Sequence, residues 1–538
     1  MRLSLIVAVS LLSLQSILAT TADRIAPQIG QRGTEVTVLL QGNRLTDIQE
    51  ILFFSKGLLF KGSEPVSEIW EDQHRSKVSV EPGKAANLTF QIADDCPLGE
   101  HFFRIRTNET LSEMLSFWVT PFPVVPEAHR SHDQADNTNG TPGSAQPIEL
   151  RTTVIGYHPA YSTMDHDFYR VELEKGQQLT VSVWSACLGF EHFRGITDCA
   201  ITVYDPSHKK IAYADDTSLS DMDPMLSIIA NEAGSYFIDI HQNMDFEGSL
   251  RHYAAHISSE PRPALTYPLG GQAGTKLPVT WIGDPAGDSQ GEIDLPKEPG
   301  AFDDSVLKTY PSGDAVPNLV QVAKFGNVLE DGKQHFRPET AQVYRGKLPI
   351  AFNGRILDEG KTDWFRFTAK KGERYRVRSY AATLGSSMDP KFRIIPAEGT
   401  ESGIDISVDD SKWVDHDWIG NDKVERIRDL ADAVAVFEPD TDGDYLLGVA
   451  DAQRLYGPEY VYRVEFQRLH DQAFIHFLKD YRERPNKRDT FVVPRGNTME
   501  HTLAILSGTG NRHRGGMRIV ADGLPPGVSF QCPPLKPG

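Results

Sequence analysis

Cysteine is scarce in this chain: four cysteines occur among 538 residues, and no Cys-x-x-Cys pair is present. A disulfide-rich scaffold, a zinc knuckle and a thioredoxin-like redox site are therefore excluded as organising features. In an oxidising compartment we expect Cys187 and Cys199 to form one local disulfide, which would stabilise the fold by about 2–3 kcal/mol for a loop of this length. We expect Cys96 to be a buried free thiol, and the sequence leaves the fate of Cys532 open.

Positive charge is also in deficit. The chain has 55 Lys and Arg residues against 74 Asp and Glu residues, which gives a net charge of −19. A surface of this sign repels nucleic acid and anionic lipid, so neither is expected as a partner. The acidic balance suits an exported protein that uses divalent cations.

Long apolar runs are missing after the first residues. The run 3–19 follows Met1 and Arg2 without a charge, and this pattern is typical of a secretory signal peptide. We expect the signal peptide to span residues 1–22, with cleavage after Ala19 or Ala22; an uncleaved membrane anchor is the alternative. The cleaved protein should have no membrane span and should be secreted, periplasmic or attached to the cell envelope.

Catalytic motifs are absent as well. None of the 17 histidines is followed by Glu, so there is no His-Glu-x-x-His metalloprotease helix. Neither a Gly-x-Ser-x-Gly nucleophile elbow nor a Gly-x-x-x-x-Gly-Lys-Ser/Thr phosphate loop occurs. The sequence therefore favours a protein without enzymatic activity of its own.

The composition favours strands. Gly (44) and Pro (34) are abundant between short apolar runs, which indicates β-sandwiches rather than helices. The length predicts several domains of roughly 100–200 residues each. We therefore predict an all-β protein made of tandem β-sandwich modules joined by linkers.

An internal repeat organises the chain, because segment 167–236 returns as segment 363–445. Each copy opens with an Asp before an aromatic and apolar strand, and each reaches a turn glycine and a Leu-Gly pair at matched spacing. An Asp-Asp pair and a Gly-x-Tyr then close each copy. The landmarks are Asp167, Gly176, 188–189, 215–216 and 234–236 in the first copy, and Asp363, Gly372, 384–385, 409–410 and 443–445 in the second. A repeat of this kind defines the folding unit.

This order of landmarks resembles the bacterial pre-peptidase C-terminal (PPC) domain, a small β-sandwich appended to secreted proteases. The resemblance implies two PPC-like, jelly-roll-type sandwiches at 147–260 and 326–470. The first copy departs from the pattern by a longer loop at 190–198. The second departs from it by a polar insertion at 412–429.

Two further segments resemble immunoglobulin-like modules of the IPT/TIG type. In the first segment, Gly33 precedes Val36, Val38 and Leu40, which alternate as in a half-buried strand. The same pattern of alternating apolar residues follows Gly274 in the second segment. The resemblance implies modules at 23–121 and 261–325. Segment 122–146 is polar and lacks apolar periodicity, so we predict a surface linker there. Segment 471–538 resembles the opening strands of a further β-sandwich, which we expect to be incomplete.

Clusters of aspartate follow the core strands of both repeats. They place several hard oxygen donors in one loop, as calcium requires. The alternative is that each Asp caps its own turn, and we favour it because no complete calcium-loop spacing is present. The candidate ligands are Asp215, Asp216, Asp221, Asp223, Asp409 and Asp410.

Histidines flanked by aspartates form another candidate. His166 and His416 each lie in an Asp-His-Asp triplet, where a carboxylate can orient the imidazole for metal binding or proton transfer. No nucleophile is indicated nearby, so we interpret both as surface residues. Trp70, Trp413 and Trp418 are candidates for a surface that binds an extracellular protein or polysaccharide.

Taken together, the resemblance implies a secreted, non-catalytic, multi-module binding or scaffold protein, similar to the accessory region of exported bacterial peptidases. The alternative is a secreted hydrolase, such as a subtilase-like protease, whose catalytic domain is absent or unrecognised. A third possibility is that the repeats assist the folding or secretion of a passenger and are later removed. Fold class alone does not decide what is bound.

Overall fold

The computed structural model describes residues 20–71, 76–108, 110–128, 139–158, 165–188, 198–217, 222–243, 251–299, 306–311, 313–409, 418–419, 422–423, 432–469, 474–477, 503–506, 518–521 and 524–533. These residues form β-strands, turns and four short 3₁₀ helices, at Pro142–Ser144, Ala186–Leu188, Pro338–Thr340 and Ala382–Leu384. None of the helices in the described part could span a membrane. Residues 1–19 of the predicted signal peptide lie outside the described residues. The all-β prediction is confirmed.

The first module, here called A1 (20–120), is a sandwich of two sheets. Its strands are β1 (Thr21–Ala26), β2 (Ile29–Gln31), β3 (Glu35–Asn43), β4 (Ile48–Phe53), β5 (Leu58–Pro65), β6 (Glu68–Glu71), β7 (Ser76–Ser79), β8 (Ala85–Ile92), β9 (Gly99–Thr107) and β10 (Leu115–Thr120). The sheet orders are β1-β3-β8-β5 and β2-β10-β9-β4, and β6 pairs with β7 as a separate hairpin. The alternation in β3 buries Val38 and Leu40 between the sheets.

The second module, here called B1 (124–258), holds the first copy of the repeat. Its strands are β11 (Val124–Pro126), β12 (Gln146–Pro147), β13 (Thr152–His158), β14 (His166–Leu173), β15 (Gln178–Trp184), β16 (Cys199–Tyr204), β17 (Lys210–Ala214), β18 (Met225–Ile229), β19 (Gly234–Gln242) and β20 (Arg251–Ser258). The sheet orders are β11-β13-β20-β15-β18 and β12-β14-β19-β16-β17. The structure therefore builds both ends of the predicted linker 122–146 into this sandwich.

The third module, here called A2 (265–323), is smaller. Its strands are β21 (Leu265–Tyr267), β22 (Gly270–Gln272), β23 (Lys276–Ile282), β24 (Ser289–Asp294), β25 (Val306–Thr309) and β26 (Asn318–Ala323). They form two three-stranded sheets, β21-β23-β24 and β22-β26-β25. Leu277, Val279 and Trp281 alternate along β23 into the core between them.

The fourth module, here called B2 (327–468), holds the second copy. Its strands are β27 (Asn327–Leu329), β28 (Gln342–Val343), β29 (Ile350–Arg355), β30 (Asp363–Ala369), β31 (Tyr375–Tyr380), β32 (Pro390–Pro396), β33 (Ile406–Val408), β34 (Trp418–Ile419), β35 (Asp422–Lys423), β36 (Val434–Phe437), β37 (Gly443–Asp451) and β38 (Val461–Arg468). The sheet orders are β27-β29-β38-β31-β36 and β28-β30-β37-β32-β33, and β34 pairs with β35. Strand for strand, this is the order found in B1. Beyond B2, the described residues include one hairpin of β39 (Phe474–Phe477) and β40 (Leu503–Leu506).

Apolar side chains join neighbouring modules. One buried cluster combines Trp118 of A1, Trp184 of B1 and Val316 of A2, and the two indole rings lie 4.7 Å apart. A second cluster combines Ile282 of A2 with Leu384 of B2. Strand β15 is buried along its whole length, as expected for a sheet with both faces covered.

Candidate functional site

Strand β14 of B1 positions two groups of polar side chains. Side chains alternate across a strand, so Asp165 and Asp167 point to one side while His166 points to the other. Asp167 is buried, and His166 is partly exposed. The beginning of this strand therefore borders two separate clusters, an inner and an outer one.

The inner cluster is built on a buried aspartate and two tyrosines. The Tyr253 hydroxyl donates to Asp167 Oδ2 at 2.6 Å, and the Tyr169 hydroxyl lies 2.5 Å from that of Tyr253. Gly156 makes room for the Tyr253 ring, because a Cβ atom at this position would lie 1.9 Å from it. Burial, and then the charge of Glu127, raise the pKa of Asp167 well above its ordinary value.

Glu127 and His158 complete the inner cluster. Glu127 Oε2 accepts a hydrogen bond from the Tyr157 N–H at 3.0 Å, and burial raises the pKa of Glu127 to about 7. His158 is fully buried, with Nδ1 3.6 Å from Asp165 and 3.7 Å from Asp167, yet neither ring nitrogen has a hydrogen-bond partner. One ligand atom from each of His158, Asp165 and Asp167 lies within 4.8 Å of the others, so this group can hold a cation.

The second repeat keeps the framework of the inner cluster but not its donors. In B2 the Tyr462 hydroxyl donates to Asp363 Oδ2 at 2.9 Å, and burial raises the pKa of Asp363 to about 7. Glu330 takes the place of Glu127, since its Oε2 accepts the N–H of the residue matching Tyr157. By strand register, Ile356 and Lys361 stand where B1 has His158 and Asp165. The hydrogen-bonded Asp–Tyr pair is thus common to both repeats, whereas the additional side chains that could bind a cation, His158 and Asp165, occur only in B1.

The outer cluster contains His166, Asp239 and His241, and one ligand atom of each also lies within 4.8 Å of the others. The sequence offers no local signal for this group, because Asp239 and His241 lie on β19, more than 70 residues after His166. The antiparallel pairing of β14 with β19 brings them together. Glu127 was not predicted as a site residue because it lies in segment 122–146, which we interpreted as a linker.

The predicted acidic turn of B1 is only partly assembled in the structure. Asp215 is partly exposed, and its Oδ2 accepts from Asn243 Nδ2 at 3.2 Å and from the Tyr213 hydroxyl at 3.3 Å. Asp216 follows it, and Asp221 lies outside the described residues. A residue not predicted, Asp198, is buried beside this turn. Burial, and then the charges of Asp216 and Asp215, raise its pKa to about 6.

Asp223 has a different role. Its carboxylate is buried and accepts the N–H groups of Ser185 (2.8 Å), Ala186 (2.7 Å) and Cys187 (3.3 Å). It thereby caps a 3₁₀ helix that lies 36–38 residues earlier in the chain, rather than its own turn. In B2 the same role falls to Asp432, which accepts the N–H groups at the start of the equivalent 3₁₀ helix. Asp409 follows β33, and Asp410 lies outside the described residues.

The two cysteines expected to pair are near this cap. Cys199 is buried on β16, Cys187 is partly exposed in the 3₁₀ helix, and both are free thiols in the structure. Cys96 is a buried free thiol, and its burial raises the pKa of the thiol to about 11. The Cys187–Cys199 disulfide stays a prediction.

The side chains of the three candidate surface tryptophans lie outside the described part of the structure. Trp413 lies outside the described residues, and the side chains of Trp70 and Trp418 are not described. Trp364 of β30 packs on the outer face of B2 against Gly448.

A cleft of about 460 Å³ lies between A1 and B1. Ile29 and Val36 line it from A1, while Val124, Ile155 and Leu188 line it from B1. Small-ligand pockets commonly have volumes of roughly 300–1,000 Å³ and mostly apolar walls. The cleft is therefore large enough for a side chain or a short segment of a partner.

Comparison with known proteins identifies the first repeat. Residues 165–242 match the bacterial pre-peptidase C-terminal domain, so the chain carries a domain of this peptidase-associated type. The curated proteins provide no match.

Three solved structures are similar to parts of the chain. The first is the pre-peptidase C-terminal domain of a Bacillus anthracis collagenase, which is 16% identical to this chain over the aligned part. The alignment covers 21% of this chain and 94% of the collagenase domain, with a TM-score of 0.17. A periplasmic inhibitor of g-type lysozyme from Aeromonas hydrophila has the same identity and coverages, with a TM-score of 0.16. A secreted protein of Eubacterium rectale has 9% identity, covers 61% of this chain and 80% of its own, and gives a TM-score of 0.17. Scores this low transfer no function to the chain.

Proposed function

We propose that this chain is a secreted, non-catalytic scaffold that presents binding surfaces at the cell envelope or on an extracellular polymer. The observation that carries the proposal is the pair of buried apolar clusters that join A1, B1, A2 and B2. Flexible linkers would let each module move separately, whereas shared buried surface holds neighbours at a fixed separation. A fixed array suits a protein that spaces its binding surfaces.

Buried polar contacts between modules support the same proposal. Arg262, in the segment between B1 and A2, donates to Met225 Sδ of B1 at 3.2 Å and to Asn318 Oδ1 of A2 at 3.0 Å, and it lies 3.5 Å from the buried Asp314 carboxylate of A2. The Tyr310 hydroxyl of A2 donates to the Leu98 carbonyl of A1 at 3.0 Å. Removing one partner of a buried charged pair is costly, so such contacts fix one arrangement of the modules.

The experiment is co-sedimentation of the purified chain with insoluble peptidoglycan, cellulose, chitin and fibrillar collagen. We expect saturable binding to at least one polymer, without release of soluble fragments. An absence of binding to all four would contradict the polymer-binding part of the proposal.

The second candidate is a secreted hydrolase, such as a subtilase-like protease, whose catalytic domain is absent or unrecognised, and the match of residues 165–242 to a peptidase-associated domain favours it. Hydrolysis of casein by the purified chain, abolished by a serine-protease or metalloprotease inhibitor, would establish a peptidase. Binding without hydrolysis would support the scaffold.

Calcium is the cofactor that we propose for the acidic turn of B1. Asp198 Oδ1 is buried without a hydrogen-bond partner, and burial, followed by the charges of Asp216 and Asp215, raises the pKa of the Asp198 carboxyl. Carboxylate oxygens are preferred calcium ligands, and a bound cation would offset their mutual repulsion. Asp223 is left out of this set because its oxygens already accept backbone N–H groups.

A further inference from the structure

We propose that His166, Asp239 and His241 form a binding site for a divalent transition-metal ion, with Zn²⁺ as the reference ion. The site lies on the outer face of B1, apart from the inner cluster and from the acidic turn. It therefore adds a function to B1 that the scaffold proposal does not require.

Strand pairing creates the site. On β14 and β19, His166 lies directly opposite His241, and Asp239 precedes His241 by two residues on the same strand. Residues two apart on a strand share a face, and residues directly opposite have Cβ atoms roughly 5 Å apart. The register thus places three potential ligands side by side on one surface of the sheet.

The distances fit a small coordination sphere. His166 Nδ1 lies 2.9 Å from Asp239 Oδ1, and His241 Nδ1 lies 3.5 Å from the same oxygen. Ligand atoms around a tetrahedral zinc ion with bonds of about 2.0–2.1 Å are separated by roughly 3.3 Å. Small rotations of the two rings are enough to place an ion among the three groups.

One ligand atom lacks a hydrogen-bond partner. His241 Nδ1 is buried and makes no hydrogen bond, because its distance to Asp239 is too long. A buried polar atom without a partner is costly, and a metal ion would satisfy it. Asp239 is itself buried, so its carboxylate is fixed beneath the two imidazoles.

The donor types select the metal. Two imidazole nitrogens and one carboxylate suit zinc and its transition-metal neighbours, whereas calcium takes six to eight oxygen ligands. Three protein ligands leave a coordination position open, as in zinc sites that bind an external group. The His166 side chain is 40% exposed, so that position is accessible from solvent.

The second repeat shows that the fold does not need these residues. By register, Thr362, Gly448 and Ala450 of B2 occupy the positions of His166, Asp239 and His241. The Trp364 ring covers this surface so closely that a Cβ atom on Gly448 would lie 2.8 Å from it. The same face of the same sandwich is thus built without any metal donor.

The test is calorimetric titration of Zn²⁺ into the full chain, expressed without a histidine tag and freed of metal with a chelator. We expect one saturable site in the wild type that is weakened at least about tenfold by His166→Ala and by His241→Ala. His166→Gln is the third variant, since its amide can still donate to Asp239 but is a poor zinc ligand. The control is His208→Asn, which alters another exposed histidine of B1, at φ 62°, a conformation that Asn tolerates.

Far-ultraviolet circular dichroism in chelator checks that each variant is folded, and Co²⁺ absorption reports nitrogen and oxygen ligation directly. Loss of the site in all three cluster variants, with wild-type binding in His208→Asn, supports the proposal. Equal Zn²⁺ affinity in the wild type and in His166→Gln, or no saturable site in the wild type, overturns it.

Discussion

Single buried carboxyl groups make the stability of this protein depend on pH. Burial raises the pKa of Asp363 from 3.8 to about 7, so the folded state holds a proton that the unfolded state releases at lower pH. A raised acid pKa means that stability is full below about pH 4 and is lost as pH rises towards 7. The slope is roughly 1.4 kcal/mol per pH unit for each such group.

We predict that Asp363→Asn makes the free energy of unfolding less dependent on pH between pH 5 and pH 7. The slope should fall by roughly 1.4 kcal/mol per pH unit, which is the contribution of one titrating group. The asparagine oxygen can still accept from Tyr462, but it no longer titrates. Urea unfolding at both pH values measures the change, with the exposed Asp288→Asn as the control. An unchanged slope in Asp363→Asn would show that this carboxyl is ionised in the folded protein.

The acidic turn of B1 provides a second prediction for individual residues. We expect calcium to raise the melting temperature of the wild type, because a ligand that binds only the folded state stabilises it. The Asp215→Ala/Asp216→Ala double variant should lose this shift, whereas Asp294→Ala, an exposed change in A2, should keep it. Identical melting curves in calcium and in chelator would contradict calcium binding and would favour a role for these aspartates in capping turns.

For individual strands, the glycines under the tyrosine rings are positions where an added methyl group has no room. A Cβ atom at Gly156 would lie 1.9 Å from the Tyr253 ring, and one at Gly354 would lie 2.3 Å from the Tyr462 hydroxyl. We predict that Gly156→Ala and Gly354→Ala each cost about 1–3 kcal/mol or more, as overpacking of a core does. Gly176→Ala is not a fair control because its φ is +85°; Gly62→Ala, where the added atom meets nothing, is the matched one. Melting temperatures within 1 °C or so of wild type for both core variants would contradict the packing argument.

Strand β1 also bears on where the proposed signal peptide is cut. Thr20 is buried and donates its N–H to Thr110 Oγ1 at 3.0 Å, while Ala22 is buried and donates to Glu113 Oε1 at 2.7 Å. Cleavage after Ala22 would remove Thr21 and Ala22 from the β1–β3 ladder. We therefore predict that the exported protein begins at Thr20. N-terminal sequencing of secreted material checks this, and a start at Asp23 would contradict it.

Much of the architecture follows from local sequence pattern, whereas the clusters do not. The matched spacing of Asp167 and Asp363 and of their Gly-x-Tyr endings predicts two equivalent sandwiches, and their strand orders are identical. Asp432 could not be paired with Asp223 by spacing, because the insertion 412–429 separates it from the preceding landmark. His166 could not be paired with His241, since only strand register relates them.

At the scale of the whole molecule, Trp118 is one of the residues that link modules directly. Its ring lies against Trp184 in the cluster shared by A1, B1 and A2. We predict that Trp118→Ala increases the radius of gyration measured by small-angle X-ray scattering and separates the melting of A1 from that of B1. Large-to-small changes of buried tryptophan cost about 3–5 kcal/mol, enough to uncouple an interface.

The outer-face Trp364→Ala is the control, because Trp364 is absent from both inter-module clusters. A Trp118→Ala variant that scatters and melts like the wild type would show that the interface contributes little to the arrangement of the modules.

The shared clusters also have a mechanical consequence. If the chain is held at one end and pulled at the other, the same tension acts on every module, and interfaces such as Trp118 against Trp184 are held by side-chain packing rather than by the hydrogen-bond ladders of a sheet. These interfaces would separate first and at low force, and they would re-form when the pull ends. The array would then lengthen in reversible steps and protect its four sandwiches from being torn open.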